Sequence, residues 1–428
     1  MIRSLRTGIT GLQANQTRMD VIGNNIANVN THAFKRGRAA FAELLGQQLV
    51  GVGRQGGGSS VNPSEVGMGA AVSSIDRNWN QGGFEFTNIG TDLSINGEGF
   101  FIAREAGAGE RNILTRAGNF SFNQDGQLVT ANGLNVQGWR FGEDGSLTTG
   151  AMQDVALDLE SDAAPKETNA LSIGGNLSAD GVVGENSGKT SFSASIYDGQ
   201  GVAHKVVYNV EKTPTNEWEV TDAYIAGDPN VDLTLSDTTI TFDNAGKMTS
   251  PAAGPDGRVS ITANGANYPN TGDGTAGSED DISFTMDLTS LTQLGGTTTA
   301  VINNQDGQAA GSLEGYSISN AGILTLNYSN GQQRPLYQLG IGDVANEQGL
   351  EQIGENFYAV TSASGDLVVG RAQQEINAGI ISGALELSNV DLAQEFTDMI
   401  VTQRGYQASA KVITTSDEIL QEIVQLKR

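Results

Sequence analysis

The stretch NNIANVNTHAFK, residues 24–35, decides how this chain can fold, because it ends the first helical pattern of the sequence. It contains four asparagines: Asn24, Asn25, Asn28 and Asn30. Asparagine is a mediocre helix former, since its amide competes for nearby backbone groups. The asparagines therefore have two interpretations. They cap the end of the helix locally, or their amides contact other helices.

Apolar residues precede and enter this stretch at alternating spacings of three and four, which is the pattern of a coiled-coil seam. The seam consists of Ile2, Leu5, Ile9, Leu12, Met19 and Ile26, widened by Ile22 and Val29. We predict an N-terminal helix within residues 1–32. Its predicted contacts with other helices are Leu5, Ile9, Leu12, Met19, Asn24, Asn25, Ile26 and Asn28.

The last forty residues repeat the pattern. Their seam consists of Leu392, Phe396, Met399, Tyr406, Ala410, Ile413, Leu420 and Val424, and a second stripe beside it of Val412, Ile419, Ile423 and Leu426. Ser388 followed by Asp391 is a capping-box pattern that predicts the helix start. Such helices are not stable alone in water, because most helical stability comes from packing one face. We predict that residues 1–32 and 386–428 pair as a coiled coil. The alternative is that each helix docks on its own nearest domain.

Between the two ends, from about Val72 to Arg371, the helical period gives way to alternating apolar and polar residues. An example is NFSFNQDGQLVTANGLNVQGW, residues 119–139. Asn-Gly and Asp-Gly pairs punctuate these runs and supply the positive φ angles that hairpin turns need. We predict antiparallel β structure throughout this region. The fold class is therefore α+β, mainly antiparallel β, with two nested β domains inserted between paired terminal helices.

The domain boundaries follow shifts in composition. Residues 76–149 and 312–369 are predicted to form an inner β domain. Residues 150–311, which hold six of the eight prolines, are predicted to form an outer β domain. Residues 33–75 and 370–385 are predicted to be an extended connector, with a glycine-rich part at 51–65.

The charge is strongly negative and unevenly spread. The whole chain carries −25, yet residues 1–40 hold six basic residues against one acidic residue, and residues 150–310 hold 23 acidic against 6 basic. A surface with this charge repels phosphate, which argues against nucleic acid as a partner. No apolar run reaches the length of a membrane span. The first residues lack the apolar core and cleavage site of a signal peptide.

Catalytic patterns are missing from the sequence. His32 and His204 fall in different predicted domains, and the chain has no cysteine, so a zinc site is not supported. The acidic loop at 272–281 lacks the ligand spacing of an EF-hand. The glycines at 95–100 do not open a dinucleotide-binding βαβ unit. We predict no enzyme activity, no cofactor and no metal.

The ends and the first β segments resemble a known family. NNIANVNTHAFK resembles the N-terminal signature of the bacterial flagellar rod and hook family of axial proteins, and residues 387–426 resemble the matching C-terminal segment. Residues 91–101, 114–139 and 334–360 are similar to the inner β domain of that family. The resemblance covers roughly residues 1–150 and 312–428, and its separated motifs occur in the same order.

Within that family, the length of the chain and its acidic insert favour a hook-forming member over the shorter distal rod members. The resemblance then implies a tubular homopolymer that works as a flexible universal joint between rod and filament. It implies rod, hook-cap and hook–filament junction proteins as partners, and the flagellar type III export apparatus. The expected location is the extracellular flagellum, reached without a cleaved signal peptide. A secreted β-rich adhesin with oligomerising helical ends is the alternative from another class.

In such a polymer, the C-terminal helix is expected to contribute its seam to the assembly interface. The residues concerned are Leu392, Phe396, Met399, Tyr406, Ile413, Leu420 and Val424. The acidic insert is expected to be a solvated surface without a ligand site.

Overall fold

The computed structural model describes residues 2–50, 64–104, 111–142, 144–148, 150–157, 162–214, 216–226, 233–251, 260–265 and 282–426. Two of the sequence predictions fall on other parts of the chain. The glycine-rich part of the connector lies outside the described residues except for its last two positions, and the acidic loop at 272–281 lies outside them entirely.

Two long helices occupy the ends of the chain: α1, Ile2–Ala27, and α2, Leu392–Leu426. They pack against each other along their length and run antiparallel, since Ser4 contacts Ser416 and Arg18 contacts Asp398. The predicted pairing of the two ends is confirmed. It makes the chain a hairpin whose β structure is inserted between two helical arms.

The strands lie between the helices. The first group is β1 Gly37–Glu43, β2 Gln47–Val50, β3 Ser64–Val66, β4 Ala70–Arg77, β5 Phe84–Phe86, β6 Leu93–Gly97, β7 Phe100–Arg104, β8 Asn112–Thr115, β9 Ser121–Phe122, β10 Leu128–Val129, β11 Asn135–Arg140 and β12 Gln153–Asp154. The second group is β13 Ala170–Ser178, β14 Lys189–Tyr197, β15 Ala203–Thr213, β16 Glu217–Ile225, β17 Thr234–Leu235, β18 Thr239–Phe242, β19 Met248–Ser250, β20 Ser260–Gly265, β21 Ile282–Leu294 and β22 Val301–Gln305. The third group is β23 Leu313–Ile318, β24 Ile323–Tyr328, β25 Gln333–Val344, β26 Glu351–Gly354, β27 Phe357–Ala359, β28 Leu367–Arg371, β29 Ala378–Ser382 and β30 Ala384–Glu386.

The chain divides into two compact units. The first contains Met1–Asp158, Tyr316–Leu326 and Arg334–Arg428. Its largest sheet has the central order β23-β24-β25-β11-β7-β8-β27-β26 among the described strands. Its core is built from fully buried apolar side chains of these strands and their neighbours, including Leu93, Ile95, Phe101, Leu339 and Ile341.

The predicted connector differs from the structure on both sides. Residues 370–385 belong to the β core, because β29 pairs with β6 and β30 pairs with β5, and Ile380 is fully buried. Near the N-terminus, β1 and β4 form an antiparallel ribbon that contacts α1. The composition of these segments suggested a connector, but the pairing of each strand with a distant partner edge determines their structure.

The second unit contains Leu159–Gly315 and Asn327–Gln333. It holds two five-stranded sheets, β17-β20-β21-β13-β22 and β14-β15-β16-β18-β19, around a core with Trp218, Tyr208 and Phe284. The prediction of antiparallel structure throughout is wrong at one pair, because β13 and β21 run parallel. More than a hundred residues separate these strands in sequence. A connection of that length can return the chain in the parallel direction.

Candidate functional site

The two terminal helices approach each other through small residues. An added β-carbon on Gly8 would lie 2.9 Å from Ile413 Cγ1, and one on Gly11 would lie 3.1 Å from Ser409 Oγ. One on Gly405 would lie 3.2 Å from Asn15 Oδ1. Ile413 belongs to the predicted seam, whereas Gly8, Gly11 and Gly405 were not among the predicted contact residues. These glycines, with Ser409, allow the two helices to approach closely.

The predicted apolar contact residues of α1 are only partly covered in one chain. Leu5, Leu12, Met19 and Ile26 are half-buried, and Ile9 is exposed. The apolar residues of α1 that are buried are Ala14 and Ile22. The face that α1 buries in one chain is thus narrower than its apolar surface.

The apolar surface of α2 is even less covered. Among its predicted contact residues, Met399, Tyr406, Ile413 and Leu420 are half-buried, whereas Leu392, Phe396 and Val424 are exposed. The second stripe is exposed as well, at Val412, Ile419 and Ile423, and is extended by Ile400 and Val401. Phe396 keeps 51% of its surface exposed and Val424 keeps 69%. A single chain leaves these side chains without cover.

The asparagines of residues 24–35 were expected either to cap the helix locally or to contact other helices. The structure shows that they do not all have the same role. Asn28 is local, since its Nδ2 donates to Asn24 O at 2.9 Å. Asn25 is 2% exposed, and its amide joins three elements of the same chain. Its Nδ2 donates to Gly37 O at 2.8 Å and to Glu395 Oε2 at 3.2 Å, and its Oδ1 accepts from Gly37 N at 2.9 Å. Asn25 is therefore used inside the chain, between α1, β1 and α2.

The Asn24 side chain is exposed. With Asp20 and Asn28 it lines one side of a groove of about 990 Å³ between α1 and loops of the first unit. The opposite side is also rich in amides, including Asn132 and Gln348. The groove therefore presents several amide groups beside an apolar lining that includes Val21, Ile75 and Trp79.

The basic residues of the N-terminal segment pair with acidic residues of the C-terminal segment. The Arg36 Nε donates to Glu395 Oε1, and Arg36 Nη2 lies 3.3 Å from Asp398 Oδ2. Arg18 Nη2 lies 3.2 Å from Asp398 Oδ1 on the other side. This clamp uses Arg18 and Arg36, two of the six basic residues in 1–40, and the carboxylate of Glu395 is almost fully buried in it.

A second ion cluster lies deeper, where the helices join the β core. Lys35 Nζ is 2.7 Å from Glu386 Oε1, and Arg116 Nη1 is 3.7 Å from Glu386 Oε2. All three residues are buried. Burial lowers the pKa of Lys35 from its usual value, and the neighbouring Glu386 carboxylate opposes that shift. None of these ion-pairing residues belonged to the predicted site. In the sequence, the excess of basic charge in residues 1–40 was the one feature that pointed to these ion pairs.

The start of α2 also differs from the prediction. Asp391 caps the helix, because its Oδ1 accepts from Ala393 N at 2.9 Å and from Gln394 N at 3.2 Å. Ser388 lies in the segment before the helix, so the predicted helical segment from residue 386 begins too early. A carboxylate next to the first free amide groups of a helix satisfies them directly.

The histidines show no arrangement typical of catalysis. His204 Nε2 lies 2.8 Å from Asp198 Oδ2. The other carboxylate oxygen of Asp198 accepts hydrogen bonds from backbone amides of the turn between β14 and β15. The described part of the chain contains no group of three or more His, Asp or Glu residues that could hold a metal ion. Within the same ranges, neither helix is long and apolar enough to cross a membrane.

Four family models match successive parts of the chain. They are Flagella basal body rod protein at 5–35, Flagellar hook protein FlgE/F/G D1 domain at 94–183, Flagellar basal body protein FlaE D2 domain at 183–308 and Flagellar basal body rod FlgEFG protein C-terminal at 381–426. The first and last of these models cover the paired helices and the short segments that connect them to the β core. The fold and these matches thus define a protein of the flagellar axial class.

Comparison with individual proteins identifies the family within this class. The chain is 37% identical to the flagellar hook protein FlgE of Treponema pallidum and 38% identical to that of Borreliella burgdorferi, each over 100% of both chains. It is 33% identical to the FlgE of Salmonella typhimurium, over 99% of this chain and 100% of the relative. The chain belongs to the flagellar hook protein family, whose members are structural proteins.

A solved structure agrees in fold. The crystal structure of Helicobacter pylori flagellar hook protein FlgE2 superposes with a TM-score of 0.50 at 16% identity. The match covers 69% of this chain and 98% of the other.

Proposed function

We propose that this chain is the structural subunit of the bacterial flagellar hook and polymerises into a flexible tube between rod and filament. The observation that carries the proposal is the exposed apolar surface on α2. Phe396, Ile400 and Val401 are each more than half exposed and have no cover in one chain. Apolar patches of this kind on a protein surface mark contacts with other molecules.

The arrangement of this surface supports a polymer rather than a closed dimer. Two parts of this surface are exposed: Leu392 and Phe396 at the start of the seam, and Ile419 and Ile423 on the second stripe. A helix with apolar residues on two flanks can contact different neighbours on each side. Contacts between unlike surfaces that do not close generate an open helical assembly. The small residues between α1 and α2 leave the large ones free for these neighbours.

The proposed partners follow from membership of the family. They are further copies of this chain, the rod below, the hook-cap and hook–filament junction proteins above, and the flagellar type III export apparatus. The proposed location is the extracellular flagellum, and export occurs without removal of a signal peptide. The role is architectural and requires no cofactor. The relatives are hook proteins over their full length, which supports this function over that of a distal rod protein or an adhesin.

The test places charge on the exposed apolar stripe of α2. Ile419→Lys with Ile423→Lys should abolish polymers in sedimentation and electron microscopy, because two ammonium groups would lie in the proposed contact between chains. The matched control is Gln407→Lys with Thr415→Lys, which adds the same charge at exposed polar positions of the same helix. Normal polymers from the first variant would overturn the proposed interface, provided that both variants keep the parent's thermal unfolding.

A further inference from the structure

A cavity of about 710 Å³ opens in the first unit. Its walls come from the segment after β4, the turn between β6 and β7, the end of β25 with the residues that follow it, and Arg116. None of the described residues that line it belongs to α1 or α2, so the cavity is a feature of the β core alone. Pockets that hold ligands have volumes of this order.

Three carboxylates line the cavity, those of Glu98, Asp343 and Glu347. Glu98 is exposed, and Asp343 and Glu347 are half-buried. Within the described part of the chain, none of the three forms an ion pair. Burial is the main cause that raises the pKa of Glu347; Asp343 and Glu98 raise it further, whereas Arg116 and Lys35 lower it. The three carboxylates therefore lie close enough to repel one another when charged.

The Arg116 side chain lines the same cavity and is 3% exposed. Its Nη1 lies 3.7 Å from Glu386 Oε2, which is longer than a hydrogen bond. Neither its Nη1 nor its Nε has a hydrogen-bond acceptor among the described residues. A buried donor without an acceptor costs free energy. The cavity therefore favours a ligand that brings an oxygen acceptor to Arg116.

The amide side chains in the walls are already used by the protein. Gln81 Nε2 donates to Ile95 O at 2.7 Å. Gln348 Nε2 donates to Arg77 O at 2.6 Å, and its Oε1 accepts from Arg77 N at 3.1 Å. The side-chain groups that remain for a partner are thus the three carboxylates and the guanidinium of Arg116. Together they fit a group that is positively charged and also carries a carbonyl oxygen.

We propose that this cavity receives a basic loop from a second copy of this chain, whose Lys or Arg side chain pairs with the three carboxylates while a backbone carbonyl of the loop accepts a hydrogen bond from Arg116. The inference rests on the proposed function, in which copies of this chain are neighbours. Charge selects the occupant, because a chain with a net charge of −25 has mostly acidic surface, which the carboxylates repel. Basic side chains are nevertheless available, since Arg140 and Lys247 are exposed.

The first test measures binding to the unassembled full chain. The probe is N-acetyl-L-arginine N-methylamide, which carries a guanidinium group and two peptide carbonyls. Trp79 lines the cavity, with its ring centre 5.4 Å from that of Phe100 and 5.0 Å from that of Tyr358, so its fluorescence reports binding. We expect a saturable change that is missing in Trp79→Phe. Glu347→Gln with Asp343→Asn should weaken binding at least about tenfold.

Two controls define the specificity of this binding. Glu85→Gln with Asp125→Asn removes the same charge at exposed positions that do not line the cavity, and it should keep the parent's affinity. N-acetyl-L-glutamine N-methylamide has the same backbone without the charge and should bind at least about tenfold more weakly. Glu98→Gln changes an exposed carboxylate without disturbing the core and should also weaken binding of the arginine probe. No saturable binding of that probe, or the parent's affinity in Glu98→Gln, would overturn the site.

The second test identifies the occupant in assembled polymers. The photoreactive residue p-benzoyl-L-phenylalanine replaces Ala345, which is exposed at the edge of the cavity, and these chains are polymerised with isotope-labelled parent chains. Cross-linked peptides should come from the labelled chains and contain Lys or Arg. Cross-links within one chain, or to peptides without a basic residue, would overturn the second copy as the occupant. The binding test uses single chains, so a failure to polymerise would contradict the proposed function and leave the binding result intact.

Discussion

The Ile413 side chain of α2 packs directly on α1 at Gly8, since a β-carbon on Gly8 would lie 2.9 Å from Ile413 Cγ1. The two ends of the chain thus approach through the backbone of α1. Ile413 is half-buried in this position. Other large apolar residues of α2, such as Phe396 and Val424, stay exposed in one chain.

The first prediction tests this close approach. Gly8→Leu should push the helices apart and destabilise their pairing by about 2 kcal/mol, as overpacking of a tight contact does. The loss should appear as lower helical circular dichroism and as failed polymerisation. Gly23→Ala is the control, because no atom lies within 4 Å of its added β-carbon. It should stabilise α1 by about 1 kcal/mol. Equal behaviour of the two variants would contradict the contact.

The second prediction concerns the clamp at the base of the helices. Glu395→Ala should cost about 3 kcal/mol, because it removes the partner of Arg36 and one acceptor of Asn25 from a buried site. Hydrogen exchange of the Gly37 amide, which donates to Asn25, reports this loss locally.

The control for the clamp is Arg38→Gln. Arg38 pairs with Asp76 at 3.5 Å but keeps 74% of its side chain exposed, so its removal should change stability by less than about 1 kcal/mol. If both substitutions had the same small effect, the buried clamp would have no special role.

A third prediction separates folding from assembly. A fragment of residues 33–390 lacks both helices but retains Lys35, Glu386 and the strands they contact. It should be folded and monomeric, because the core around Leu93, Phe101 and Ile380 forms without either helix. Analytical ultracentrifugation and thermal unfolding check both properties. Polymers of this fragment would show that the helices are not the main assembly elements.

The fourth prediction addresses the second unit. Trp218 is fully buried in its core, so Trp218→Ala should destabilise that unit by about 4 kcal/mol. Calorimetry should show one transition shifted to lower temperature and the other unchanged, since the two units have separate cores. A common shift of both transitions would mean that the units unfold together.

The sequence determined the class of fold because its periods are local properties. The spacing of three and four at both ends identifies two amphipathic helices, and neither can hide its apolar face alone. Turn pairs such as Asp125-Gly126 and Asn132-Gly133 mark hairpins, and the φ angles of these glycines are +74° and +79° in the structure. The motifs at 24–35 and 387–426 pointed to the flagellar axial family for the same reason, since short segments carry them.

The tertiary structure decided which residues meet. Spacing could not show that Ile413 packs on Gly8, or that Gly405 faces Asn15, because the rotation of a helix about its axis depends on its partner. Nor could it pair Lys35 with Glu386, which lie 351 positions apart and meet at 2.7 Å. Contacts over such separations depend on how the whole chain returns, and burial makes them strong by removing the water that would screen them.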